Sequence, residues 1–312
     1  MLTGRPPANE TSRMSRAVVN EVAASNTKIE LEYETIGSPD DEAILMIMGF
    51  TAQLTLWPSG FCQMLADQGR YVILFDNRDC GLSTKLDGVT VDLPGVLEAA
   101  LSYRPDLLPP VPYTLSDMAA DAVGLLDHLG IRVAHVVGAS MGGMIAQTVA
   151  IEHPSRVLSL TSIMSTTGEP EVSQPTPEAG VALLAPPPTD RSAYIANSVN
   201  AAVWHSKRYV DLDEIRAQAG RDFDRSFYPE GSDRQLAAIY ASGSRAEALP
   251  TLSVPTLVVH GRDDTLLPPA GGLRTAELIA GANLLLMADM GHDLPEALWP
   301  VLADAIIANT DR

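Results

Sequence analysis

The sequence predicts an α/β fold on a mostly parallel sheet with helices on both faces, and three observations carry that reading. Apolar runs at 43–48, 71–75 and 133–137 are too continuous for strands with one wet face. Stretches with helical apolar spacing, at 57–68, 115–129 and 144–151, fall between or after them. Beyond a long interval the alternation resumes, with strands at 256–260 and 284–287 and helices at 270–279 and 295–308.

Taken in order, the alternating residues of 18–22 and 29–36 around Ser25 and Asn26 predict an opening hairpin. Residues 1–14, with Pro6, Pro7, Asn9 and Ser12, read as a flexible leader, and Met14 is an equally good start. The strand at 157–164 closes the first run of the core, expected to comprise 15–164 and 251–312. Between them, 165–250 opens with Pro170, Pro175, Pro177, Pro186, Pro187 and Pro188 and continues through helix-like stretches such as 194–204. It is expected to be an inserted helical cap. A shorter insertion at 87–112, with Pro105, Pro109, Pro110 and Pro112, is expected to add a second lid element. Tyr194, Trp204, Tyr209, Phe223, Phe227 and Tyr240 are candidates for lining a pocket or for forming the cap's own core.

Composition narrows the function. A hydrophobic content of 46% over 312 residues supports a sizeable core. Net charge is -18, from 39 acidic against 21 basic side chains, which argues against a nucleic-acid partner. There is no run of eighteen apolar residues and no signal-peptide core in the polar N-terminus, so a cytoplasmic protein without a membrane partner is expected. Cys62 and Cys80 lack metal spacing and are expected to be reduced and structural; no metal site is expected.

The segment Gly138-Ala139-Ser140-Met141-Gly142 lies between the apolar run 134–137 and a helical stretch starting at Gly143. A strand, a sharp turn and a helix place a serine at the apex, in a strained backbone that Gly138 and Gly142 permit by lacking Cβ atoms. The helix N-terminus behind it presents unpaired N–H groups to a developing negative charge. Ser140 is therefore the candidate nucleophile.

Reacting groups in such sheets gather beyond the carboxyl ends of strands. After 256–260 comes Gly261-Arg262-Asp263-Asp264, and after 284–287 comes Met290-Gly291-His292-Asp293. His292 is the candidate base, since a serine hydroxyl needs an imidazole to take its proton. Of the other histidines, His128 and His153 sit near helix ends, His135 starts a buried strand, His205 lies in the cap and His260 ends a strand. Asp264 is the candidate partner for the second imidazole nitrogen, with adjacent Asp263 as its rival. Oxyanion donors are expected from the backbone N–H groups of Met141 and of Phe50, in the Gly49-Phe50-Thr51 turn.

Gly138 to Gly143, Met48-Gly49-Phe50, His260-Gly261-Arg262-Asp263-Asp264 and Gly291-His292 together resemble the α/β-hydrolase superfamily, over residues 25–310. Asp76-Asn77-Arg78-Asp79-Cys80-Gly81-Leu82-Ser83, the Met-Gly at the oxyanion turn and Gly291-His292-Asp293-Leu294-Pro295 are most similar to bacterial esterases related to aclacinomycin methylesterase. The resemblance implies an eight-stranded α/β-hydrolase fold with a helical cap, and cofactor-free hydrolysis of carboxylic esters through Ser140, Asp264 and His292. It also favours Asp264 over Asp263. Asp79 stands where many relatives have glycine, and aspartate tolerates the left-handed backbone better than most residues. The proline-rich insertions at 87–112 and 170–188 look longer than the family needs, so a relative's substrate does not transfer with them. The expected activity is serine carboxylesterase on a small-molecule ester. Carbon–carbon hydrolysis, amide or peptide cleavage and perhydrolysis share the scaffold, and a non-catalytic ligand-binding module is the alternative of another class.

Overall fold

A computed structural model describes residues 15–22 and 27–312; the expected leader at 1–14 and the hairpin turn at Ser25 and Asn26 lie outside the described residues. Strands β1 (Ser15–Val22) and β2 (Thr27–Ile36) pair antiparallel, with Ala17 opposite Leu31. Six further strands follow: β3 (Glu42–Ile47), β4 (Arg70–Phe75), β5 (Ala134–Ala139), β6 (Val157–Ile163), β7 (Thr256–Gly261) and β8 (Asn283–Met287). These six run parallel in an eight-stranded sheet of order β1-β2-β4-β3-β5-β6-β7-β8, and β2 is antiparallel to β4.

The continuous apolar runs are explained by burial on both faces. Successive side chains of a strand point to opposite sides. Leu45, Ile47, Ile73 and Phe75 join one buried cluster with residues of α3 (Leu115–His128) and α4 (Met141–Glu152). Their neighbours Ile44, Met46, Val72 and Leu74 join the opposite cluster with α1 (Ser59–Asp67) and α11 (Trp299–Thr310). Thr114 caps the N-terminus of α3, where Thr114 and Asp117 form a reciprocal capping box. The last helix begins later than the sequence pattern predicts. Residues Glu296–Leu298 form a separate 3-10 turn, and Pro300 in the first turn of α11 sets the start at Trp299.

The 87–112 stretch holds a helix that its prolines concealed, α2 (Leu93–Leu101), capped by Asp92. Between β6 and β7 the chain forms α5 (Pro170–Ser173), α6 (Pro177–Leu184), α7 (Arg191–Asn197), α8 (Leu212–Arg225) and α9 (Glu230–Ala241). α2 packs against α9, so the two insertions meet; α10 (Pro269–Leu278) packs on β7 and β8. No helix among the described residues is long and apolar enough to cross a membrane.

The turn after β4 joins several of these parts. Asp76 accepts the N–H groups of Leu54 and Leu82 and an Arg225 N–H, at 2.7, 2.8 and 2.7 Å. The Asn77 amide donates to Met48 O at 2.8 Å. Asp79 does adopt a left-handed conformation, φ 62°, and its buried carboxylate accepts from Arg234 of α9, from Tyr113 OH and from Leu86 N–H. Arg78, wholly buried, makes a two-pronged ion pair with Asp121 of α3, at 2.6 and 2.7 Å.

Removing one partner of such a pair strands a charge in a dry interior. Asp121→Ala should lower unfolding free energy by about 3–5 kcal/mol in urea titrations, whereas Arg78→Met with Asp121→Leu should recover most of that loss. An Asp121→Ala change costing less than about 1 kcal/mol would show the pair to be solvated.

Candidate active site

Ser140 sits between β5 and α4 with φ 57° and ψ -123°, a conformation that L residues rarely adopt. The flanking glycines make the turn possible. A Cβ on Gly138 would lie 2.0 Å from Gly142 O, and one on Gly142 would lie 2.0 Å from Ile47 O. The serine's backbone is anchored by Ser140 N–H to Ile163 O at 2.9 Å and by Ser165 Oγ–H to Ser140 O at 2.8 Å.

His292, in the loop after β8, places Nε2 2.9 Å from Ser140 Oγ and Nδ1 2.7 Å from Asp264 Oδ2. Ser140, His292 and Asp264 are thus brought together in one chain of hydrogen bonds. An ionised carboxylate only accepts, so Nδ1 carries the proton and Nε2 is left to accept the serine O–H. The other oxygen of Asp264 accepts the N–H groups of Leu266 and Leu267, each at 2.9 Å. Burial raises the Asp264 carboxyl, but the neighbouring His292 and hydrogen bonds from His260 and His292 outweigh it and hold the group at about 2. Asp264 is buried, whereas Asp263 is partly exposed and contributes its N–H to Met290 O.

The close approach of these loops depends on glycine. A Cβ on Gly261 would fall 2.3 Å from Met290 O and 2.5 Å from Gly291 O. The turn after β3 is pressed against the serine in the same manner, since a Cβ on Gly49 would lie 2.9 Å from Ser140 Cβ. Phe50 and Met141 border the same cavity as Ser140. Beyond Phe50, Thr51 has φ 55°, costly for a β-branched residue. Its N–H is held by the buried Gln235 side chain of α9 at 2.8 Å.

The cavity measures about 700 Å³ and its walls are mostly apolar. Both insertions line it, through Leu101, Tyr103 and Leu108 on one side and Leu183, Leu236 and Tyr240 on the other. Tyr103 OH donates to Glu171 at 2.6 Å, which ties the two sides together. Of the six aromatic candidates, Tyr240 lines the cavity; Tyr194, Phe223 and Phe227 instead pack on one another with ring centroids 4.6 to 5.5 Å apart.

The sequence places His260 at a strand end but gives it no part in the site, and its position beside Asp264 comes only from the structure. Its Nε2 lies 2.8 Å from Leu267 O and 3.5 Å from Asp264 Oδ2, so the aspartate is flanked by two imidazoles. A carbonyl accepts only, which assigns the proton to Nε2. The four-residue spacing to Asp264 was the available signal, but only the tight turn brings the two side chains together. Both cysteines are free and buried, and burial pushes the Cys62 thiol up to about 12. No cluster of three or more histidine, cysteine, aspartate or glutamate side chains suited to a metal occurs among the described residues.

The model of the alpha/beta hydrolase fold matches residues 42–296. Rhodomycin D methylesterase DnrP of Streptomyces peucetius is 29% identical over 92% of this chain and 96% of its own length. The 2-hydroxymuconate semialdehyde hydrolase of Pseudomonas sp. (strain CF600) is 35% identical over 55% of this chain and 59% of its own. Among solved structures, the enol-lactonase from Burkholderia xenovorans LB400 superposes with a TM-score of 0.68 at 23% identity, covering 91% of this chain and 97% of that one. The last likeness concerns the fold. With the family model spanning most of the chain, this protein belongs to the alpha/beta hydrolase fold family and is a hydrolase.

Proposed function

We propose that the protein is a serine carboxylesterase acting on small to medium carboxylic esters. The observation that carries this reading is the unbroken hydrogen-bond chain from Ser140 Oγ through His292 to Asp264, opening on an apolar cavity. In this reading 165–250 is a cap over the cavity and 87–112 a second lid. A volume of about 700 Å³ falls in the range of small-molecule sites.

Ser140 Oγ attacks the ester carbonyl carbon while His292 Nε2 takes the hydroxyl proton, and the carbonyl π electrons move onto oxygen. Asp264 holds the imidazole tautomer and stabilises the cation formed. The Phe50 and Met141 N–H groups are assigned to the oxyanion, each worth roughly 3–4 kcal/mol by analogy with measured donors. Collapse expels the alcohol, which receives the proton from His292. Water then repeats the sequence on the acyl-enzyme, releasing the acid and restoring the serine.

The rhodomycin D methylesterases, similar over nearly the whole chain, support ester chemistry. A second reading, carbon–carbon hydrolysis by the same three side chains, is favoured by the 35% identity to the 2-hydroxymuconate semialdehyde hydrolase. Initial rates on aryl esters graded by acyl length, a methyl ester, an anilide and a vinylogous diketone separate the two. The esterase reading expects the esters to turn over fastest; preference for the diketone replaces it with the second.

Ser140→Ala should abolish ester turnover and labelling by a fluorophosphonate probe, and a near-native rate in that variant refutes the nucleophile. Asp264→Asn should lower kcat by about 10⁴-fold, because the imidazole then settles in the wrong tautomer. The Asp264 carboxyl is depressed on folding, so it contributes stability that is complete above about pH 4 and fades as pH falls toward 2. In urea titrations the stability gap between parent and Asp264→Asn should therefore narrow between pH 4 and pH 2; a gap indifferent to pH would remove the buried carboxylate from the account.

A further inference from the structure

The loop bearing His292 has little structure of its own. β8 ends at Met287, α11 starts at Trp299, and only the 3-10 turn Glu296–Leu298 lies between. On one side the β7 loop holds it, with Arg262 N–H donating to Met287 O and Asp263 N–H to Met290 O, at 2.9 and 3.0 Å. On the other side it meets residues 204–206, which belong to the inserted segment.

That second contact is dense. His292 N–H donates to Trp204 O at 2.7 Å, and Gly291 N–H donates to Ser206 Oγ at 3.1 Å. One oxygen of Asp293 accepts the Ser206 N–H at 2.9 Å, the Ser206 O–H at 2.6 Å and the Gly291 N–H at 3.3 Å. Ser206 is wholly buried. The two backbones touch, for a Cβ on Gly291 would fall 2.4 Å from Trp204 O and 2.6 Å from Ser206 N. His205 Nδ1 stands 3.9 Å from the other Asp293 oxygen. The Asp264 loop is joined to the same segment, with Thr265 O–H donating to Val203 O at 3.0 Å and Thr176 N–H to Thr265 O at 2.9 Å.

We propose that Ser206 and Asp293 form a clamp that sets the position of His292, so that the inserted segment is a working part of the site as well as its cover. The inference rests on the esterase reading above. A general base has to lie within about 2.6–3.2 Å of the proton it takes. A displacement of about 1 Å costs roughly a hundredfold in rate. The clamp works through backbone and one carboxylate oxygen, which makes Ser206 and Asp293 positioning residues. Asparagine at 293 presents the same acceptor oxygen without the charge, whereas alanine presents none.

Steady-state kinetics on a short-chain aryl ester test this with Asp293→Ala, Asp293→Asn, Ser206→Ala and the double Ser206→Ala/Asp293→Ala variant, each assayed well below its melting temperature. The alanine variants should lose about ten- to a hundredfold in kcat with KM held within about twofold. Asp293→Asn should recover most of that loss, and the double variant should be no worse than the weaker single one, as for two members of one unit. Equal damage from Asn and Ala, losses confined to KM, or losses that multiply in the double variant overturn the clamp. A parent enzyme that hydrolyses no ester and resists a fluorophosphonate probe overturns the esterase reading instead. In that event amide hydrogen exchange still decides: the clamp requires faster exchange at 288–295 in the alanine variants with 134–163 unchanged, and unaltered exchange at 288–295 refutes it.

Discussion

The site depends on one strained residue. Holding a non-glycine residue at positive φ costs on the order of 1–3 kcal/mol, and Ser140 is kept there because the elements on either side leave it no alternative. β5 is locked into the sheet centre, α4 starts at the next residue, and two glycines give up their side chains so that the backbones can close. The turn carries the Ser140 hydroxyl to within hydrogen-bond reach of His292, which in turn meets Asp264. The Asp264 and His292 loops reach it because they leave neighbouring parallel strands at the same edge.

Much of this was legible in the amino-acid pattern, for reasons that differ between elements. Strands buried on both faces must be apolar throughout, so the runs at β3, β4 and β5 stood out. Ser140, His292 and Asp264 could be named because each follows a strand in a short loop with small or polar neighbours, a local signature. What escaped notice is non-local. The Gln235 contact with Thr51 spans 184 residues of sequence, and nothing in either neighbourhood announces it. Trp204 stands out in the sequence for its ring, while the group that meets the His292 loop is its carbonyl oxygen, which every residue has. The helix α2 was not assigned because the prolines at 105–112 dominate the pattern of the insertion, although a well-capped helix precedes them.

The inserted segment has a second character once its polar contacts are traced. Gln235 holds the turn that carries Phe50, Val203 and Thr176 hold the loop of Asp264, and residues 204–206 hold the loop of His292. Three loops that arise separately from the sheet share one outside support. Three of its aromatic residues, Tyr194, Phe223 and Phe227, pack on one another, with Phe223 and Phe227 stacked 4.6 Å apart, which gives that support a cluster of its own. The mostly apolar cavity is then bounded by a piece of structure that also governs the geometry at its floor.

Asp79 shows how such an arrangement limits sequence drift. The left-handed backbone at this position would be relaxed by glycine, which lacks the offending Cβ. Yet the same side chain is the counter-ion for Arg234, itself nearly sealed from water, and the partner of Tyr113. Glycine at 79 would ease the turn and leave a guanidinium without an anion. Ease in the backbone at 79 and a satisfied charge at 234 are thus alternatives, and this chain keeps the strained turn together with the tie between helix α9 and the turn after β4.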